Sequence, residues 1–370
     1  MSHLDVVGVE RGQWLRDPFG AELVDGYIWG RGTLDTKNLT AAQVTSLLLL
    51  KRAGLRPKRD ILLVASADEE TGGEKGFGWL VRNRPEIFDG VIYGLNEGGG
   101  QDFVIAGRRF YTCQTGEKGI CRMRITAKGQ AGHAATPAGD SAVYLLAQAL
   151  LRLREFTFPT RIVPTNQEFL KTIIEALPVP ECDVFLRIAE TGHVDVESVP
   201  GPAFFRHEIP AMMASTLVPT VLRAGEQPNV IPSEASVLVD ARLLPGEGAD
   251  EFVRRLKAHL IDSCPGVELD VLEDRPALEF DFRTPLFDCI RKVMAQHEPE
   301  ARVVPYLSPM GTDAKHLKHR GMAIYGFKPM KQLPEAPKFG LVHGHNERIS
   351  LDNLSLLTRV TYDIVTQFCI

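Results

Sequence analysis

Two short apolar runs constrain this chain most. Ile61-Leu62-Leu63-Val64-Ala65 and Val91-Ile92-Tyr93-Gly94 read as parallel strands buried on both faces. Each is soon followed by acidic residues, Asp68-Glu69-Glu70 after the first and Glu97 after the second. In an open α/β sheet, ligands bind beyond the carboxyl ends of the strands. The expected fold class is therefore α/β, with carboxylates placed where a site would lie.

The rest of the pattern divides the chain. A helix is predicted from Thr36 to Gly54, with Leu39, Val44, Leu47, Leu48 and Leu50 as its apolar positions. From about 114 the order changes to a strand (117–127), a helix (140–155), two strands (215–223 and 234–243), a helix (249–262) and a strand (266–273). That is the β-α-β-β-α-β order of a ferredoxin-like unit. The stretch 156–214 interrupts it with several prolines and no sustained period, and reads as an insertion with some local helix. After 280 the first pattern returns, with a helix (285–297), a strand (322–327) and a C-terminal helix from Ser350. The expected organisation is a discontinuous α/β domain, 1–113 and 280–370, holding an inserted α+β lid, 114–279.

Composition narrows the function class. The chain has 370 residues, 44% hydrophobic and 24% charged, with a net charge of -5, which describes a globular chain long enough for two domains. No basic run suggests a nucleic-acid partner. The longest apolar run, Leu47 to Leu50, is too short to span a bilayer, so no membrane partner is expected. Six scattered cysteines without a close pair read as reduced thiols in a cytoplasmic protein.

The polar residues point to chemistry. His3 and Asp5, Asp35, Glu69-Glu70, Glu97, and His343 with His345 supply nitrogen and carboxylate ligands for two divalent metals, with one carboxylate left to act as a base. Each also has an ordinary alternative. Asp35 can cap a helix, Glu69 and Glu70 can form a solvated turn, and Glu97 can open a flexible loop. His3 can be a tail residue, His343 and His345 surface histidines, His133 a turn histidine and Arg242 half of a surface ion pair.

Taken together, five segments resemble one family. They are His3-Leu4-Asp5-Val6-Val7, Asp25 to Lys37 with Gly30-Arg31-Gly32-Thr33-Leu34-Asp35, Ser66 to Gly73, Gly132-His133-Ala134-Ala135-Thr136-Pro137 and His343-Gly344-His345-Asn346-Glu347. The chain resembles, over essentially its whole length, the dinuclear zinc peptidases and amidohydrolases that include glutamate carboxypeptidase, succinyl-diaminopimelate desuccinylase, acetylornithine deacetylase, aminoacylase-1 and carboxypeptidase S. Its wording is nearest the carboxypeptidase S and aminoacylase branch.

The resemblance implies a zinc-exopeptidase-like α/β/α catalytic domain with a ferredoxin-like lid that forms a homodimer. It implies two divalent metals, zinc before cobalt or manganese. Asp35 would bridge them, His3 and Glu97 would complete one site, and Glu70 and His343 the other. Glu69 would be the general base toward a metal-bridging water, and Asp5 would orient a ligand. The Asp35-Thr36 peptide would be cis. His133, from the partner subunit's lid, would bind the oxyanion. Asn229, Arg242 and the Gly311-Thr312-Asp313 segment would read the substrate, a short peptide or N-acyl amino acid whose free carboxylate pairs with Arg242.

The family has a helix and a strand or two before its His-x-Asp motif, whereas His3 is the third residue here. The resemblance therefore implies a missing N-terminal part, through a misassigned start or a truncated gene. Two alternatives follow, a catalytically silent truncated paralogue binding at most one metal, and a peptide-binding or scaffolding dimer that uses the lid alone.

Overall fold

A computed structural model describes residues 1–137, 139–261, 264–332 and 341–370. The last residue of the helix expected over 249–262 lies outside them. The strand Ser2–His3 runs parallel to Ala65–Ser66, with Ser2 opposite Ala65 and His3 opposite Ser66. Of the strand expected over 61–65, only Ala65 is in a ladder. Leu62 is 43% exposed, so the expected fully buried strand is corrected. An apolar run is held as a strand only where neighbours satisfy its backbone. Among the described residues Ile61, Leu62 and Leu63 have no such neighbour, and Val64 offers one carbonyl to the Ser2 amide at 3.1 Å.

The second run forms the strand Tyr93–Asn96, two residues later than expected, parallel to Ala323–Gly326. The Met1 amine donates to the Leu95 carbonyl at 2.7 Å. The sheet continues into Arg108–Glu117, which also pairs with Asp102–Ile105 and Arg302–Ser308. Three helices lie where the period placed them. Pro285–His297 matches the expected range, Leu351–Cys369 begins one residue after its cap Ser350, and Lys37–Arg52 begins one residue after Thr36. Ile290, Val293, Val360 and Ile364 pack with Tyr325 and Phe327 of the sheet. Leu39, Ala42 and Leu357 join the first and last of the chain's long helices. Among the described residues no helix is long and apolar enough to cross a membrane.

The middle of the chain forms a four-stranded antiparallel sheet of Thr216–Ala224, Glu234–Leu243, Gly119–Lys128 and Val267–Arg275, in that spatial order. With the helices Ala142–Glu155 and Ala249–Ile261 it has the ferredoxin-like order. Strict alternation over Glu234–Leu243 buries Ala235, Val237, Val239, Ala241 and Leu243 against those helices.

The chain divides into two compact units, one of Met1–Gly116, Pro164–Pro210 and Glu279–Ile370, the other of Glu117–Val163 and Ala211–Leu278. The stretch 156–214 differs most from expectation. It holds three helices, Pro164–Ala176, Glu181–Thr191 and Ala203–Met213, and residues 164–210 group with the first unit instead of the inserted one. Phe169, Phe185 and Phe205 cluster with Phe103 of the first unit, Phe205 stacking on it with centroids 4.2 Å apart.

Candidate metal centre

His3, the last residue of its strand, is buried to 1% exposure. Its Nε2 lies 3.3 Å from Asp35 Oδ1 and 3.3 Å from Glu97 Oε2. Its Nδ1 contacts the Asp5 carbonyl at 3.0 Å, with the Asp5 carboxylate at 3.5 Å. Asp5 therefore sits behind the imidazole, and the main-chain oxygen is its nearer contact. Asp5 Oδ2 also accepts from the Glu70 amide at 3.1 Å, joining the His3 strand to the acidic turn.

That turn is not a solvated surface. Asp68 takes a left-handed backbone, and its carboxylate accepts from the Thr71 hydroxyl and the Lys75 amide. The turn closes over Glu69–Thr71, leaving Glu69 and Glu70 partly buried. His343 Nε2 stands 3.1 Å from Glu70 Oε2 and 3.2 Å from Asp35 Oδ2. His345 belongs to neither group. Glu97 follows the strand Tyr93–Asn96 and is buried. The three glycines after it are close-packed. A Cβ on Gly99, at φ +54°, would meet the Gly326 carbonyl at 2.4 Å.

The result is two triads, His3–Asp35–Glu97 and Asp35–Glu70–His343, with one Asp35 oxygen facing each imidazole. Ligands held tetrahedrally at 2.0–2.1 Å from one zinc ion stand about 3.3 Å apart. The four contacts of 3.1–3.3 Å match that spacing. Among the described residues, Glu70 Oε1 and Asp5 Oδ1 are buried without a hydrogen-bond partner. The donor set and the orphaned Glu70 oxygen fit two divalent cations sharing Asp35.

Electrostatics agree. Burial and then the neighbouring Glu97 and Asp313 push Glu69 up to about 8. Burial and Asp35 also raise Glu70. Burial opposes the protonation of His3, but bonds to Asp35 and Glu97 raise it to about 11. Burial likewise opposes ionisation of Asp35, yet His3, His343 and Lys328 hold it well below the usual carboxylate range. The centre is thus rich in carboxylate, and a proton is retained where a cation would neutralise the same charge.

Several contributors escaped the sequence reading. The buried Glu347 carboxylate pairs with Arg31 at 2.7 Å and accepts backbone bonds along the loop that presents Asp35. Lys328 donates to the Leu34 carbonyl at 3.0 Å and lies 3.9 Å from Asp35. Asp313, expected in the substrate-reading segment, accepts from Ser66 at 2.9 Å. The Gly30-Arg31-Gly32 and His-Gly-x-Asn-Glu wording was the available signal for the first pair. The Asp35-Thr36 peptide is cis, as expected.

The remaining residues divide between the units. Thr312 is buried and caps the helical turn Asp313–Arg320. Its hydroxyl accepts from Ala314 and from Asn96 Nδ2, and Gly311 beside it leaves open space. His133, Asn229 and Arg242 belong to the second unit. His133 is exposed on Gly132–His133, which pairs with Val230–Ile231, and the Asn229 carbonyl accepts from Ala134 at 3.0 Å. Arg242 Nε donates to Asp240 at 2.6 Å, and Asp240 also pairs with Arg122. The geometry brings His133 and Asn229 together and gives Arg242 an internal carboxylate partner.

Comparison with known proteins agrees with this architecture. The profile described as peptidase family M20/M25/M40 matches residues 1–367. The chain is similar to the N-fatty-acyl-amino acid synthase/hydrolase PM20D1 of Xenopus tropicalis, at 26% identity over 99% of this chain and 71% of that protein. It is similar to the probable carboxypeptidase S-like 2 of Dictyostelium discoideum, at 24% identity over 98% and 70%. Among solved structures, the M20 family metallo-carboxypeptidase Sso-CP2 of Sulfolobus solfataricus superposes with a TM-score of 0.69, at 16% identity over 98% of this chain and 83% of that one. This last likeness is one of fold.

Proposed function

The chain belongs to peptidase family M20/M25/M40, and from that premise we propose that this amidohydrolase is a dinuclear metal enzyme for short peptides or N-acyl amino acids with a free carboxylate. The observation that supports this best is the pair of triads sharing Asp35. His3, Asp35 and Glu97 would hold one divalent ion and Asp35, Glu70 and His343 the other, with zinc favoured by the mixed imidazole and carboxylate set. Ions held there supply Lewis acidity toward a carbonyl and toward water.

Glu69 has its own task. It is in neither triad, and burial with Glu97 and Asp313 nearby raises the proton affinity of its carboxylate. It takes the proton of the attacking water and returns it to the leaving amine. Asp5 steadies His3 and the acidic turn together. His133, reaching the site as the partner subunit's His133 in a homodimer, donates to the developing oxyanion, with Asn229 beside it. Arg242 exchanges Asp240 for the substrate carboxylate, a match suited to the guanidinium fork. Gly311 and Thr312 shape the wall next to Glu97. Six unpaired cysteines fit a reducing, cytoplasmic setting.

The test compares an N-acyl amino acid with its carboxamide on zinc-loaded protein. The acid is expected to be cleaved with kcat/KM at least about a hundredfold higher, since the neutral amide leaves the guanidinium without its anion. Arg242→Ala should shrink that ratio mainly through KM. Equal rates on acid and amide would remove Arg242 from substrate recognition.

A further inference from the structure

The residues that join the Asp35 loop to the His343 loop lie outside both triads. We infer that the Arg31–Glu347 pair is a latch that positions His343, an inference that rests on the metal-centre reading above.

The clasp is reciprocal. Glu347 stands four residues after His343 and holds the Asp35 loop. Its Oε2 accepts from Arg31 Nη1 at 2.7 Å and the Gly32 amide at 3.1 Å, and its Oε1 from the Leu34 amide at 2.7 Å and the Asp35 amide at 3.2 Å. These four donors fill the acceptor sites of one carboxylate. Arg31 stands four residues before Asp35 and holds the His343 loop. Its Nη2 donates to the carbonyls of His343 at 3.2 Å and Gly344 at 2.9 Å. Its guanidinium lies over the Trp14 ring, 5.3 Å from the centroid.

His343 needs such a hold. Its side chain is 52% exposed, and its imidazole meets Asp35 and Glu70. Its backbone sits at φ +59°, and that of Asn346 at φ +61°, a region that side chains other than glycine rarely adopt. His3, by contrast, is buried in a strand pair. Loss of Arg31 would free the His343 carbonyl while leaving Glu347 on the Leu34 and Asp35 amides. The effect should therefore fall on one triad. Both members are positioning residues.

The experiment titrates metal-free protein with zinc by calorimetry and with cobalt by visible absorption. Wild type should bind two equivalents. In Arg31→Lys, one equivalent should stay within about threefold of wild type, while the other weakens by at least about tenfold, the loss typical when a ligand's supporting bonds are removed. His343→Ala should give the same pattern, and adding Arg31→Lys to it should cost the remaining equivalent nothing further. The double variant Arg31→Met with Glu347→Gln avoids a lone buried charge. It should keep the fold by circular dichroism and still lose the weaker equivalent. Two equivalents of wild-type affinity in Arg31→Lys, or equal weakening of both, would overturn the latch alone. A wild-type protein that binds no metal would remove the metal-centre reading, and the latch with it.

Discussion

Glu69 and Glu70 are adjacent in sequence and differ in what they touch. Glu70 meets His343 at 3.1 Å, while Glu69 stays outside both triads among Glu97, Asp313 and His3. Glu69→Gln is therefore expected to lower kcat by about 10²–10⁴-fold, the range of a lost general base, with metal content unchanged. Glu70→Gln should lose close to one equivalent of metal as well. Equal metal content and equal activity in both variants would return the turn to a structural role. Elemental analysis beside steady-state kinetics distinguishes the outcomes. The triad members were legible because each sits in a short word with its neighbours. Arg31 and Glu347 sit in the same words, but their pairing was not legible, because a charge that will be buried against a partner 316 residues away looks in sequence like any surface charge. Lys328 was hidden for the same reason, and Asp313 was expected to read the substrate, not to stand beside Glu69.

At the scale of elements, period and alternation served where one face is buried. The strand Glu234–Leu243 and the helix Pro285–His297 coincide with their predicted ranges. The run at 61–65 misled because apolar residues say nothing about whether a neighbouring strand is present. The helices within 156–214 were expected only as some local helix without bounds, because prolines obscured their period. Cys182, Phe185 and Ile188 nevertheless show a buried stripe at helical spacing. One element makes a prediction of its own. Thr216–Ala224 is an edge strand, with Val218 at 52% and Leu222 at 62% exposure, and among the described residues its outer side pairs with no strand. Apolar edges invite pairing with another chain. Sedimentation equilibrium should show a dimer, and Leu222→Lys should weaken it by at least about tenfold if the edge is the contact. Mixing His133→Ala with Glu69→Ala subunits should then restore part of the activity. A wild-type monomer at every concentration, or a dimer indifferent to Leu222→Lys, would exclude this edge as the interface.

At the scale of the whole molecule, the metal centre couples stability to pH. In metal-free protein, Glu69 has a folded value raised from 4.5 to about 8, so its contribution is full below 4.5 and is lost as pH rises through about 8. His3, raised from 6.5 to about 11, has the same sign, contributing fully below 6.5 and losing that contribution as pH climbs toward 11. The Met1 amine, lowered to about 5, and Lys118, lowered to about 7, carry the opposite sign over the same span, so the test is the difference between chelated wild type and variant. Glu69→Gln should flatten the part of the slope below pH 8, and added zinc should stabilise the wild type most at the alkaline end. A stability difference between chelated wild type and Glu69→Gln that stays constant between pH 4.5 and 8 would contradict the arrangement of charge described here.

The central claim is that one carboxylate, Asp35, joins two metal sites built from both ends of the chain. Anomalous diffraction at the zinc edge from zinc-soaked crystals tests it most directly. The prediction is two peaks per chain, one among His3, Asp35 and Glu97 and the other among Asp35, Glu70 and His343, with His343→Ala losing the second peak only. Crystals of folded protein with no peak at either triad, or with a single peak that survives loss of both histidines, would contradict it.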